Sequence, residues 1–100
     1  MNIQTTSSDA QSVMCLNGRF DFNAHKVFRE TYQQLLADKV KVIVLDLSRV
    51  DYLDSSALGM LLQFKEKADV QRTTIKLKNC SQLAKDVLAI ANFNKLFEIS

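Results

Sequence analysis

The chain has 100 residues, of which 47% are hydrophobic and 24% are charged, and its formal net charge is +2. This length and composition are typical of a single globular domain with one core, here spanning residues 1–100. The Lys and Arg residues are scattered, which argues against a nucleic-acid or lipid surface. No apolar run approaches the roughly 20 residues of a membrane helix, and the first residues are polar, unlike a signal peptide. We therefore expect a cytoplasmic protein with neither a nucleic-acid nor a membrane partner.

The first part of the chain predicts two strands and a helix. Ile3–Ser7 and Ser12–Asn17 read as strands joined by a polar turn. Gly18 ends the second strand and is expected to have positive φ. Asn23 is the expected N-cap of a first helix over about Ala24–Ala37. Helical spacing places one set of its residues on the core face: Ala24, Val27, Phe28, Thr31 and Leu35.

The middle of the chain predicts a buried strand that leads into a second helix. Val40–Leu47 is almost continuously apolar, as a strand buried on both faces requires. The segment Ser48–Asp54 is expected to be a loop, and the second helix is expected over about Ser55–Asp69. Thr73–Leu77 then alternates apolar and polar residues, which predicts a strand with one partly exposed face.

The last part of the chain predicts a third helix over about Gln82–Ala91, capped by Ser81. We expect the residues after it to return to the core through Leu96, Phe97 and Ile99. The helix residues expected to be buried are Leu83, Val87 and Ile90.

The order of these elements is ββαβαβα. Strands separated by single helices are joined by right-handed crossovers and lie parallel to one another, whereas the first hairpin adds an antiparallel pair. We therefore predict an α/β fold, a single domain with a mixed, mostly parallel sheet and helices mainly on one face.

The sequence argues against catalysis. The only histidine, His25, lies on the polar face of a predicted helix, which does not favour a Ser-His-Asp triad. The two glycines, Gly18 and Gly59, are too far apart for a phosphate-binding loop. The aspartates lack the spacing of a calcium loop. Cys15 and Cys80 lack metal or redox spacing, so we expect free, buried thiols. We expect no enzyme activity, no metal and no cofactor.

The sequence Asp54-Ser55-Ser56 stands at the predicted start of the second helix and has two interpretations. Ser and Asp residues in this position are often simple N-caps. A helix N-terminus also tolerates an anion, so a phosphoserine there would add about −1.5 to −2 charge without unravelling the helix. Consecutive helical residues point about 100° apart, so only one of the two hydroxyls should face a partner.

The segment VIVLDLSRVDYLDSSALGMLLQFKEKA, residues 42–68, resembles the core of the STAS domains of bacterial anti-sigma factor antagonists. The similarity includes a strand ending in Leu-Asp-Leu, Asp-Ser-Ser at the loop–helix junction and a small residue followed by Leu-Gly. Upstream, LNGRFDFNAH resembles the family segment that enters the first helix. The order ββαβαβα is also that of the family, so the resemblance covers essentially the whole chain.

The resemblance implies a switch between partners that is controlled by phosphorylation. In that family the serine directly after the aspartate accepts the phosphate, which corresponds to Ser55, with Ser56 as the alternative. A serine-kinase-type anti-sigma factor binds the unphosphorylated antagonist and phosphorylates it, and a PP2C-type phosphatase resets it. The implied partner-binding residues are Asp21, Asp54, Ser55, Ser56, Ala57 and Leu58.

One position departs from the family pattern. Many members have glycine where this chain has Ala57, and alanine should stiffen the first helical turn by up to roughly 1 kcal/mol. This departure bears on which partner binds and leaves the implied switch intact. The alternative function is a constitutive STAS interaction module or small-ligand-binding module that phosphorylation does not control.

Overall fold

The computed structural model describes residues 1–100 as a five-stranded sheet with three α-helices. The strands are β1 (Asn2–Ser8), β2 (Gln11–Phe20), β3 (Val42–Leu53), β4 (Thr74–Lys78) and β5 (Glu98–Ile99). The helices are α1 (His25–Ala37), α2 (Ser55–Val70) and α3 (Gln82–Ile90). Short 3₁₀ turns cover Phe22–Ala24 and Phe93–Lys95. None of the helices is long and apolar enough to cross a membrane.

The strands lie in the sheet in chain order, from β1 to β5. The first pair is antiparallel and the other three pairs are parallel. Each parallel step moves one place in the same direction and passes through one helix. Because such crossovers are right-handed, the three helices lie on the same face of the sheet and run in the same direction. The predicted α/β fold is confirmed.

The core lies between this face of the sheet and the helices. Met14, Leu45 and Leu77 are aligned across three neighbouring strands, and all three are fully buried. Above them, the rings of Tyr32 and Phe64 stack with 4.6 Å between their centroids. The helices α1 and α2 are therefore joined by aromatic contacts over an aliphatic sheet. Cys15 and Cys80 are free, as expected, but are only half-buried.

Two strands are longer than the sequence predicts. Gly18 has the expected positive φ of 108°, but it lies beside a shift in register within β2 and does not end the strand. β3 continues to Leu53, so the predicted loop Ser48–Asp54 is mostly strand. Its polar residues are exposed on an extended strand that pairs with β2, and this pairing overrides their loop-like composition.

The helix predictions need three corrections. In α1, the buried stripe includes Tyr32 and Leu36, whereas Val27 and Thr31 are half-buried. Asn23 is not the N-cap of this helix: Ala24 holds that position without a side-chain cap bond, and Asn23 lies inside the 3₁₀ turn that Asp21 caps. The third correction concerns the buried face of α3, which was predicted to be Leu83, Val87 and Ile90.

In α3 the core face is formed by Ala84 and Leu88, and Leu83 and Ile90 are exposed. The cap by Ser81 is confirmed, since its hydroxyl accepts the N–H of Ala84 at 3.2 Å. The chain then returns to the sheet as β5. Among the three residues expected to reach the core there, Phe97 is buried and Ile99 is partly buried, whereas Leu96 remains 42% exposed.

Candidate functional site

The sheet brings two of the predicted site residues together. Phe20 of β2 pairs with Leu53 of β3, and the next residues along the two strands are Asp21 and Asp54. Neighbouring parallel strands are about 4.8 Å apart, so the two aspartates stand side by side at the carboxyl edge of the sheet. Each of them begins a helical segment. This edge is where a parallel α/β fold usually forms its functional sites.

Asp54 is the N-cap of α2. Its Oδ1 atom accepts the N–H of Ser56 at 3.0 Å and the N–H of Ala57 at 3.3 Å. These bonds satisfy two of the N–H groups that a helix start leaves unpaired. The aspartate therefore provides the cap, and the hydroxyl of Ser55 is not needed for it.

The two serines lie in different surroundings. Ser55 is the first residue of α2 and is exposed, whereas Ser56 is half-buried. Ser56 lines a shallow groove of about 200 Å³ between the start of α1 and α2. The other residues of this groove are Phe22, His25, Gly59, Met60 and Gln63. The hydroxyls thus diverge as the helical geometry predicts, and that of Ser55 is the more accessible.

Asp21 is held in place by two interactions. Its Oδ1 atom accepts the N–H of Asn23 at 3.0 Å, and its Oδ2 atom lies 3.3 Å from Nε of Arg19. The guanidinium of Arg19 lies over the ring of Tyr52, 3.8 Å from its centroid. This Arg–Tyr pair could not be predicted from the sequence, because it depends on the register of β2 against β3. Asp21 is therefore a fixed carboxylate beside the start of α2.

The remaining two predicted site residues, Ala57 and Leu58, differ in how far their side chains are buried. Ala57 is fully buried, so its side chain can influence a partner only through the position of the first helical turn. Leu58 is half-buried and packs partly against the core.

The groove beside Ser56 also contains the exposed ring of Phe22, which is stacked on His25 with 6.3 Å between the ring centroids. The alternation of aromatic and polar residues before α1 was the only sequence signal for this feature.

The structure contains no group of three or more His, Cys, Asp or Glu side chains placed to hold a metal ion. What the site offers chemically is an exposed hydroxyl next to two carboxylates, with apolar side chains on the adjoining turns of α2. A hydroxyl in this setting can accept a group from another protein, and the surface around it can be covered by one.

Comparison with known proteins finds relatives along the whole chain. Residues 3–98 match the family model described as "Mlab, STAS domain". A STAS-domain containing protein from Pseudomonas aeruginosa (strain UCBPP-PA14) is 44% identical over 95 residues, which cover 94% of this chain and 93% of that protein.

Solved structures of anti-sigma factor antagonists share the fold. A putative antagonist from Thermotoga maritima superposes with a TM-score of 0.89 at 18% identity, covering 97% of this chain and 84% of that one. An antagonist from Mycobacterium paratuberculosis gives 0.87 at 20% identity, with 98% and 83% covered. The phosphorylated form of SpoIIAA from Bacillus gives 0.76 at 18% identity, with 99% and 91% covered. The family-model match and the Pseudomonas relative both extend over nearly all of the sequence, and the chain therefore belongs to the STAS domain family.

Proposed function

We propose that this protein is an anti-sigma factor antagonist in a partner-switching pathway. Unphosphorylated, it binds a serine-kinase-type anti-sigma factor or related regulator, and phosphorylation of Ser55 releases that partner. The observation that carries the proposal is the exposed hydroxyl of Ser55, one residue after the carboxylate that caps α2. The fold shared with antagonists, one of them described in its phosphorylated form, supports it.

Phosphorylation at this position changes the surface and leaves the fold intact. The cap of α2 comes from Asp54, so the helix start does not depend on the hydroxyl that is modified. A phosphate on Ser55 adds about −1.5 to −2 charge beside two carboxylates, those of Asp21 and Asp54. Since Asp54 already occupies two N–H groups of the helix start, the phosphate has fewer internal partners there and is directed towards solvent.

The same charge explains why a partner would be released. A protein that covers the start of α2 must remove water from whatever group stands on Ser55. For a hydroxyl this costs little, but for a phosphate it costs several kcal/mol unless the partner supplies cations. Binding to an apolar or acidic partner surface is therefore lost when Ser55 is modified.

In this proposal the protein is a substrate and a ligand, and it is not itself an enzyme. The kinase transfers the γ-phosphoryl group of ATP to Oγ of Ser55, releasing ADP and the hydroxyl proton. A PP2C-type phosphatase returns the serine by hydrolysis, with water as the acceptor of the phosphoryl group. Whether the partner binds is thus set by two other proteins, the kinase and the phosphatase, which both act at this surface.

The test uses the purified protein with each serine-kinase-type regulator of its own organism and ATP, followed by mass-spectrometric mapping of the peptide that holds both serines. We expect one phosphoryl group on Ser55, its loss in Ser55→Ala and its retention in the control Ser56→Ala. In calorimetric titrations, Ser55→Ala should bind the regulator as the wild type does, and Ser55→Asp should bind at least about tenfold more weakly. Equal affinity of Ser55→Asp and wild type, or an absence of phosphoserine in cells, would favour the constitutive interaction module instead.

A further inference from the structure

All three helices are followed by a turn in which one residue has a left-handed backbone. This residue comes directly after the C-cap of each helix: Lys39 after α1, Arg72 after α2 and Asn92 after α3, with φ of 58°, 59° and 61°. Glycine usually occupies this position and asparagine sometimes does, because a Cβ strains a left-handed backbone. Asn92 follows that preference, whereas Lys39 and Arg72 do not.

The two cations that depart from the preference line the same cavity. This open cavity of about 430 Å³ lies at the amino ends of β3 and β4, at the opposite end of α2 from Ser55. Its lining residues come from the turns after α1 and α2 and are Lys39, Val40, Lys41, Gln71, Arg72 and Thr73. The other non-glycine residues with positive φ are Asp and Asn, which tolerate it best, and none of them lines the cavity.

The positive charge of the cavity is not balanced within the protein. None of the three ion pairs in the structure includes Lys39, Lys41 or Arg72. Asp38, next to Lys39 in the chain, lies outside the cavity, and its Oδ1 atom accepts Nε2 of Gln34 at 3.2 Å. In the neighbouring depression, by contrast, both lysines are paired with carboxylates, at 2.9 and 3.5 Å. The cavity therefore presents three exposed cations and no acid.

The ends of the helices do not need these cations as caps. A cation after a helix can bind the last carbonyls and complement the helix dipole. In the turn after α1, however, the N–H of Lys39 donates to the carbonyl of Leu36 at 3.0 Å, and the next N–H donates to that of Leu35 at 3.5 Å. The turn after α2 has the same two backbone bonds, at 3.1 and 2.9 Å. Glycine would form all of them without strain.

Hydrogen bonds between the two turns hold the cavity in shape. The hydroxyl of Thr73 is buried and donates to the carbonyl of Val40 at 3.0 Å. The N–H of Thr74 donates to the carbonyl of Lys41 at 2.9 Å. The backbone that carries the cations is thus fixed before a ligand binds, so that binding has to order only the side chains.

We propose that this cavity binds an oligophosphate group, either free or carried by a nucleotide. Three unpaired cations in one concave site match a ligand with several negative charges, such as a diphosphate or triphosphate, whereas one carboxylate would balance only one of them. Arg binds phosphate oxygens in pairs, and Lys binds them as a point charge. The cations are kept at strained positions because the ligand requires them there. The site lies far from Ser55 along α2, so this inference does not depend on the proposed switch.

The first test is calorimetric titration of the full chain with sodium tripolyphosphate, ATP and orthophosphate at low ionic strength. We expect tripolyphosphate and ATP to bind at one site, and orthophosphate to bind at least about tenfold more weakly. Tighter binding of ATP than of tripolyphosphate would identify a nucleotide as the ligand, and the reverse order would identify a free oligophosphate. Both results support the site. An absence of binding by tripolyphosphate and ATP, or tighter binding of a hexaglutamate peptide, would overturn the inference.

The second test separates anion binding from stability. Lys39→Gly and Arg72→Gly each remove a cation and relieve a left-handed strain. Each should bind tripolyphosphate about fivefold more weakly or less tightly still, while its unfolding midpoint stays at or above that of the wild type. The matched control is Asn92→Gly, which changes the equivalent position after α3, outside the cavity, and should bind as the wild type does.

Two further variants make the result specific to the cavity. Lys41→Gln removes the third cation at a residue without positive φ and should weaken binding as the glycine variants do. Lys26→Gln removes an exposed cation at the start of α1 and should leave binding unchanged. Unchanged affinity in all three cavity variants would show that the anion binds elsewhere. Lower unfolding midpoints in both glycine variants would show that the cations stabilise the helix ends. Either result would overturn the inference.

Discussion

Asp21 and Asp54 hold nearly the same backbone conformation, with φ and ψ of −131° and −169° in the first and −127° and −173° in the second. Each follows one member of the cross-strand pair Phe20–Leu53, and each carboxylate accepts the N–H of the residue two positions later. Adjacent parallel strands therefore end in the same way, and their carboxylates frame the position where Ser55 begins α2. The two differ in what they cap: a helix of 16 residues after Asp54 and a turn of three after Asp21.

This difference predicts unequal costs for removing the two carboxylates. Asp54→Ala should lower the free energy of unfolding by about 1 kcal/mol, because two N–H groups of α2 lose their acceptor. Asp21→Ala should cost less, since it frees one N–H of a short turn and an exposed ion pair contributes little. Urea unfolding measures both, and Asp54→Asn is the control that keeps an acceptor oxygen. A larger loss in Asp21→Ala would contradict this account of the caps.

The sequence was sufficient for the order of elements as far as α3 and for the place of the serines, but the short strand β5 after α3 was not predicted. The apolar run of β3 and the helical spacing after Ser55 are local signals, and both were interpreted correctly. The adjacency of Asp21 and Asp54 could not be derived in this way, because it depends on the register of β2 against β3. The resemblance to STAS domains supplied it only as an analogy.

The helix α3 shows why the buried face of a helix could not be predicted from its sequence alone. Two stripes compete in this helix, Ala84 with Leu88 and Leu83 with Val87 and Ile90, and both have helical spacing. Hydrophobicity alone favours the second stripe, since it has the larger side chains. Close packing of the helix on the core selects the first. A sequence pattern specifies that a stripe exists, but the tertiary structure decides which stripe is buried.

The aromatic contacts between α1 and α2 predict a large contribution from Phe64. Its ring is fully buried, stacked on Tyr32 and edge-on to Phe28 with centroids 5.7 Å apart. Phe64→Ala should lower the free energy of unfolding by about 3–5 kcal/mol, because it leaves a cavity that the core cannot fill. Phe64→Leu retains most of the volume and should cost about 1–2 kcal/mol. The matched control is Phe22→Ala, a ring that is 72% exposed, for which urea unfolding should show a change within about 0.5 kcal/mol.

The stability of the protein should depend on the ionisation of Asp46. Burial in β3 acts to raise the pKa of this carboxyl, but the N–H of Ser48 at 2.9 Å, polar side chains of Ser48 and Asn79, and the charge of Arg49 outweigh it. The pKa is therefore lowered from its ordinary value of 3.8. A carboxyl with a lowered folded-state pKa stabilises the fold above the ordinary value, and this contribution is lost as the pH falls below it.

Asp46→Asn tests this dependence. The variant should be less stable than the wild type at about pH 7, and the difference should shrink as the pH is lowered to about 3. Urea midpoints at the two pH values give the comparison, with Asp51→Asn as a control at an exposed position of the same strand. A difference between Asp46→Asn and wild type that stays constant with pH would show that the lost hydrogen bonds, and not the charge, account for the effect.

The two small residues after the serines predict opposite changes in stability. Gly59 lies inside α2, and a Cβ added there would meet no atom within 4 Å. Gly59→Ala should therefore raise the free energy of unfolding by about 0.5–1 kcal/mol, since alanine loses less backbone entropy in a helix. Ala57→Gly should lower it by about 1 kcal/mol or more, because a fully buried methyl group is lost as well. Thermal unfolding of both variants gives the sign of each change in stability, and a destabilised Gly59→Ala would contradict the open surroundings of that residue.

The same Gly59→Ala variant also tests for a contact with the partner. Because the added methyl group meets nothing within the protein, any loss of partner binding by this stabilised variant would report a contact between the partner and the groove beside Ser56.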